Sequence, residues 1–105
     1  VGLFVFVKED RMFNNQRYAT RGISATVPLW VQRMLWYMTD TMKVRKDYLQ
    51  VFELSVIDGK QHIVHRQEQP DYLMQYTFAV TDPIAAKIYI IDDGSYSTML
   101  LAEEY

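Results

Sequence analysis

The hydrophobic period of this chain changes once, and that change constrains its fold more than any other feature. From Pro28 to about Lys43 the apolar side chains recur at helical spacing; from Tyr48 onward they alternate. Projected at about 100° per residue, Trp30, Val31, Met34, Leu35, Tyr37, Met38 and Met42 share one broad face, and Gln32, Arg33, Thr39, Asp40 and Lys43 share the other. Thr26 or Val27 stands where a cap belongs, and Pro28 suits a first turn because its missing N–H would be unpaired anyway. Lys43, Arg45 and Lys46 close the helix, where positive charge offsets the negative end of the dipole.

Beyond the helix, Tyr48–Ile57 is rich in β-branched and aromatic residues and runs straight into Asp58-Gly59, a strong signal for a tight hairpin, with Lys60–Gln67 as the returning strand. Tyr72–Val80, Ala85–Ile91 and Ser97–Glu103 read as further strands, set apart by breaks at Pro70-Asp71, Asp82-Pro83 and Asp92-Asp93-Gly94. Arg17–Ser24 reads as a short strand before the helix. Short links favour antiparallel neighbours. The pattern therefore predicts an α+β domain in the order β-α-β-β-β-β-β: a mostly antiparallel β-sheet meander with one amphipathic helix packed on one face.

A chain of 105 residues can bury one core without metal or disulfide staples. It contains no cysteine, which excludes a disulfide framework, a thiolate metal site and a cysteine nucleophile together, and suits a reducing, cytoplasmic setting. Charge is unevenly placed: residues 1–52 carry eight Lys/Arg against four Asp/Glu, and residues 53–105 three against nine. An acidic second half argues against wrapping nucleic acid over a large surface. Val1–Val7 is far shorter than the ~20 residues that span a bilayer, and it lacks a positive leading region and a cleavage site. It reads as an added strand or a contact between molecules. Met12 reads as a natural start, so residues 1–11 are an extension and residues 12–105 a single α+β domain.

No arrangement of residues carries a catalytic, metal or nucleotide signature, so the chain is not expected to be an enzyme or to hold a cofactor. His62 and His65 are the only histidines, and their odd offset on a strand puts them on opposite faces, as a polar hairpin edge would have them. Asp92-Asp93-Gly94 has the chemistry of a tight turn. Ser95 and Ser97 sit in nothing like a nucleophile elbow, and glycines at positions 2, 22, 59 and 94 make no phosphate loop. Arg17, Arg21, Arg33, Arg45 and Lys46 with Tyr18 and Trp36 have the composition of a single-strand-binding surface, against a pI of about 5.6.

Two helix residues, Leu29 and Trp36, project into the polar face. With Arg33 and Asp40 they have the composition of an interface anchor and its polar rim. The other reading buries the helix on two sides and makes Trp36 core. Met34, Met38 and Met42 read as gap-filling core.

Three stretches carry a resemblance: Arg17–Gly22 (RYATRG); Asp47–Ser55 with His65–Pro70 (HRQEQP); and the ending Ile91–Tyr105 (IDDGSYSTMLLAEEY). They resemble a bacterial family catalogued as domain of unknown function 960, found in Gram-positive bacteria and their prophages or mobile elements. The resemblance runs from Met12 to Tyr105. It implies a bacterial cytosolic setting and a small accessory role, and nothing about chemistry. The expected function is that of an interaction protein binding a protein partner or itself, with no membrane contact. The alternative is a nucleic-acid-associated accessory protein of a mobile element.

Overall fold

The structure is a computed structural model that describes residues 11–105, so the expected added strand at Val1–Val7 lies outside the described residues. The elements are β1 (Gln16–Ala19), α1 (Arg21–Thr26), α2 (Leu29–Asp40), β2 (Leu49–Ile57), β3 (Lys60–Gln67), β4 (Tyr72–Phe78), β5 (Ala86–Asp92) and β6 (Tyr96–Leu101), with a terminal 3₁₀ turn over Ala102–Glu104. They build one six-stranded sheet in the order β1-β6-β5-β2-β3-β4. All pairs are antiparallel except β1 with β6. The class is α+β with a mostly antiparallel sheet, as the period change predicts.

The meander is corrected. The β2-β3-β4 run is one, and Asp58 and Gly59 turn its first hairpin with φ of 52° and 74°, the left-handed pair that this turn requires. After β4, however, the chain crosses the end of the sheet and inserts β5 beside β2. Three strand spacings are roughly 14 Å, well within reach of the link from residue 79 to 85. A two-residue turn would have forced β5 onto the edge of β4. Gln61 holds the crossing in place: its amide donates to the Ile84 carbonyl at 3.0 Å and accepts from the Ile84 N–H at 2.9 Å, as a rung of sheet would.

The helical region also differs. The expected strand Arg17–Ser24 divides at Thr20, whose hydroxyl oxygen accepts from the Ile23 N–H at 3.3 Å and caps α1. Glu104, from the far end of the chain, accepts from the Thr20 hydroxyl at 2.6 Å and the Gly22 N–H at 3.1 Å. A Cβ at Gly22 would meet that carboxylate at 2.5 Å, so a larger residue there would make the Glu104 side chain shift. Pro28 is the cap of α2 rather than its first residue, and the helix ends at Asp40, before Lys43, Arg45 and Lys46. Its buried stripe is narrower than expected. Val31, Leu35, Met38 and Thr39 are buried, whereas Tyr37 is 67% exposed and Trp30 38%. Thr39 tolerates burial because its hydroxyl donates to the Leu35 carbonyl at 3.0 Å.

Val31, Leu35 and Met38 of α2 and Ile23 of α1 join Phe13, Phe52, Leu54, Ile63, Ile88, Ile90 and Met99 in one core cluster. The sheet members share one face: Phe52 lies opposite Ile88 and His65, Leu54 opposite Ile63, and Ile90 opposite Met99. Phe13, itself at φ 65°, is fixed by its N–H donating to Asp92 at 2.8 Å. Burial pushes the Asp92 carboxyl up, but the N–H groups of Phe13 and Gly94 and the Asn15 amide outweigh it and hold the group below its ordinary range.

The inward row of β3 is Gln61, Ile63, His65 and Gln67, all buried and three of them polar. His65 Nε2–H donates to Gln50 Oε1 at 2.7 Å, and the Gln50 amide donates to Gln67 Oε1 at 2.6 Å and to the Asp47 carbonyl at 3.0 Å. The Gln67 amide donates to the carbonyls of Arg45 and Pro70 at 2.9 and 2.8 Å, and its Oε1 accepts from the Asp47 N–H at 2.8 Å. The network ties the α2–β2 link to the β3–β4 turn. The expected polar hairpin edge is corrected here, because His65 is core. Its ring stacks on Phe52, centroids 4.2 Å apart, with Tyr72 edge-on at 5.2 Å, and its Nδ1 has no hydrogen-bond partner among the described residues.

Desolvation lowers the His65 pKa from 6.5 to about 4. Between those values the unfolded chain binds a proton that the folded chain excludes. The His65 contribution to stability is therefore complete above 6.5 and is lost as the pH drops towards about 4, about 3 kcal/mol in total. Urea unfolding across that window should show the loss in the native protein and a flattened profile in His65→Leu. An equal slope in both proteins would contradict it.

Candidate interaction surface

The four helix residues singled out by sequence fall on one outward stripe of α2, and the structure divides them. Trp36 is half-buried against the core, beneath Arg17, whose guanidinium carbon lies 4.4 Å from the ring centroid. The same guanidinium forks onto Asp40, with Nη1 donating to Oδ2 at 3.1 Å and Nη2 to Oδ1. Its Nε and Nη2 donate to the Phe13 carbonyl at 3.2 and 3.0 Å. Arg17 thus clamps β1 and the segment before it onto the helix. Leu29 and Arg33 stand free of this cluster, Leu29 57% exposed and Arg33 exposed without an ion pair among the described residues.

Local geometry accounts for the division. Trp36 and Asp40 are four residues apart and stack along the helix. Arg17 lies on the same side of β1 as the core face, because alternation sends Tyr18 the other way, where it packs edge-on against Tyr96 at 5.3 Å. The basic and aromatic residues grouped by composition therefore do not form one surface: Arg17 is engaged internally and Tyr18 faces away from it.

Sequence reasoning placed Tyr37 and Trp30 on the buried face. In the structure Tyr37 continues the spacing Leu29, Arg33, Tyr37, one residue per turn along the exposed ridge. The signal was present in that four-residue repeat. Trp30, in the first turn, packs edge-on against Phe78 of β4 at 6.3 Å and keeps part of its ring in solvent.

The remaining candidates are structural in their contacts. His62 and His65 lie on opposite faces of β3, and His62 Nδ1 is 2.8 Å from the Thr77 hydroxyl. Asp92 and Asp93 accept backbone N–H groups of the turn into β6, Gly94 on Asp92 and Ser95 and Tyr96 on Asp93. Ser97 donates to Asn15 at 2.6 Å. Among the described residues no three His, Asp or Glu side chains converge as a metal cage would require, and no helix is long and apolar enough to cross a membrane. α2 thus presents exposed apolar and cationic side chains from a helix whose underside is packed and whose flank is clamped.

The family model described as staphylococcal protein of unknown function (DUF960) matches residues 16–104. A crystal structure of a protein of unknown function from Enterococcus faecalis is similar, with a TM-score of 0.78 and 24% identity, covering 94% of this chain and 98% of that one. At that identity the likeness shows the fold alone. No curated protein matches the chain.

The clamp is testable by a double-mutant cycle on stability. Arg17→Ala and Trp36→Leu should each destabilise, with a coupling of about 0.5–1 kcal/mol. Additivity within error would show that the cation does not act through the ring.

Proposed function

The chain belongs to the DUF960 family, and from that premise we propose that it is a small cytosolic interaction protein that acts by binding rather than by catalysis. The working surface is the outer ridge of α2. The observation that supports this reading is the row Leu29, Arg33 and Tyr37, three exposed side chains at helical spacing over a clamped helix. Anchors held on a rigid element lose little freedom on binding, which is where affinity is otherwise lost.

The partner that fits is a protein segment presenting apolar side chains beside a carboxylate. Leu29 and Tyr37 supply apolar contact at the two ends, and Arg33 supplies a planar cation between them that can take a carboxylate with two parallel hydrogen bonds. Trp36 and Asp40 belong to the support rather than to the contact, because Arg17 already occupies both.

The test is affinity purification from the native bacterium with and without nuclease, followed by titration of the purified partner. Arg33→Glu should weaken binding at least about tenfold while leaving the melting temperature nearly unchanged, and a lysine in place of the partner's carboxylate should restore it. A captured protein whose affinity ignores Arg33→Glu would remove the ridge from the account. Loss of capture on nuclease treatment, with affinity falling steeply as salt rises, would favour the nucleic-acid alternative instead.

A further inference from the structure

The sheet ends in an edge that is built differently from its opposite one. β1, at one side, is four residues long, and its Arg17 is drawn onto α2. β4, at the other, pairs with β3 along seven rungs, from Gln61 opposite Phe78 to Gln67 opposite Tyr72, and pairs with no further strand among the described residues. Alternate N–H and C=O groups of a strand in that position point outward. Natural edges are protected by shortness, charge, proline or a bulge. The β4 sequence, YLMQYTF, has no charge, no proline and no glycine. It also exposes large apolar side chains, Leu73 at 56% and Met74 at 44%. Trp30, half in solvent against Phe78, extends the apolar surface onto the end of α2.

We propose that β4 is the seam of a homodimer, in which two copies pair this strand antiparallel about a two-fold axis at Gln75 and continue one sheet into the other. The strand is complementary to its own image. In that register Tyr72 meets Phe78 of the second copy, Leu73 meets Thr77, Met74 meets Tyr76, and Gln75 meets itself. Alternation keeps each pair on a single face of the joined sheet. A residue on the axis must satisfy its own copy. Gln75 can do so, because an amide is donor and acceptor at once, and its exposed side chain makes no hydrogen bond to any described residue. No charged residue lies between Tyr72 and Phe78 to be repelled by its counterpart. A closed two-fold pairing uses up the β4 edge of both copies, so pairing through β4 stops at two. The inference goes beyond the helix ridge and uses a different element, so either can fail alone.

The experiment is sedimentation equilibrium of the full chain, alone and as Gln75→Lys and Gln75→Glu, with circular dichroism confirming that each is folded. The native chain should be a dimer. Each variant places like charges on the axis and should raise the dimer dissociation constant at least about tenfold. Mixing the two should restore dimers, because lysine then faces glutamate. That rescue requires position 75 to meet itself and is not reproduced by a general loss of stability. A native chain that is monomeric at all concentrations, dimers indifferent to both substitutions, or mixed variants that associate no better than either alone would overturn the proposal. Arg33→Glu should leave the dimer intact, which separates failure of this seam from failure of the helix ridge.

Discussion

The fold depends on a neutral histidine kept dry in the middle of its core. His65 lies between Phe52 and Tyr72 and donates its one N–H to Gln50. Through Gln50 and Gln67 that bond reaches the backbone of Asp47, Arg45 and Pro70. In a buried polar chain of this kind one broken link strands several desolvated groups at once, and among its described side-chain atoms only His65 Nδ1 is left without a partner. Here the links fix two connections that carry no regular structure of their own. At the other end of β3, Gln61 does the same for the chain that crosses to β5. One strand therefore supplies core on its inward face and holds the loops at both of its ends.

Those constraints leave the helix with a settled underside and a free ridge. The link from α2 to β2 is held by Gln67, the helix packs through Val31, Leu35 and Met38, and its flank is clamped by Arg17 over Trp36. What α2 presents outward is thus fixed in position without being used by the fold. The sheet shows the same contrast between an edge that is consumed and an edge that is not: β1 is tied to the helix, whereas β4 offers a long uncharged rim.

Much of this was legible in the residues, wherever the determinant was local. The Asp58-Gly59 hairpin, the position of α2 and the spans of the later strands follow from period and turn chemistry. The crossing to β5 did not, because it depends on a buried glutamine meeting a backbone 23 residues away, and nothing in the alternation of β3 marks Gln61 as a loop anchor. The residues of α1 have the pattern of a strand, and the cap that makes them a helix is completed by Glu104, more than 80 residues on. Trp36 and Asp40 had the composition of an anchor and its rim; their engagement by Arg17 required knowing that β1 would lie alongside α2. The exposure of Tyr37 has a smaller cause: the apolar pattern of the helix implies a wide stripe, but Thr39 is buried in its place with a single hydrogen bond to its own helix.

The state of the His65 ring tests the account most directly. Nitrogen chemical shifts of the imidazole, followed from above 6.5 down towards about 4, report which nitrogen carries the proton and when the second arrives. The account predicts a single neutral tautomer, protonated at Nε2 and bare at Nδ1, that persists well below 6.5 while the protein is folded. A ring that takes up its second proton near 6.5 in the folded protein, or that carries its one proton on Nδ1, would contradict it.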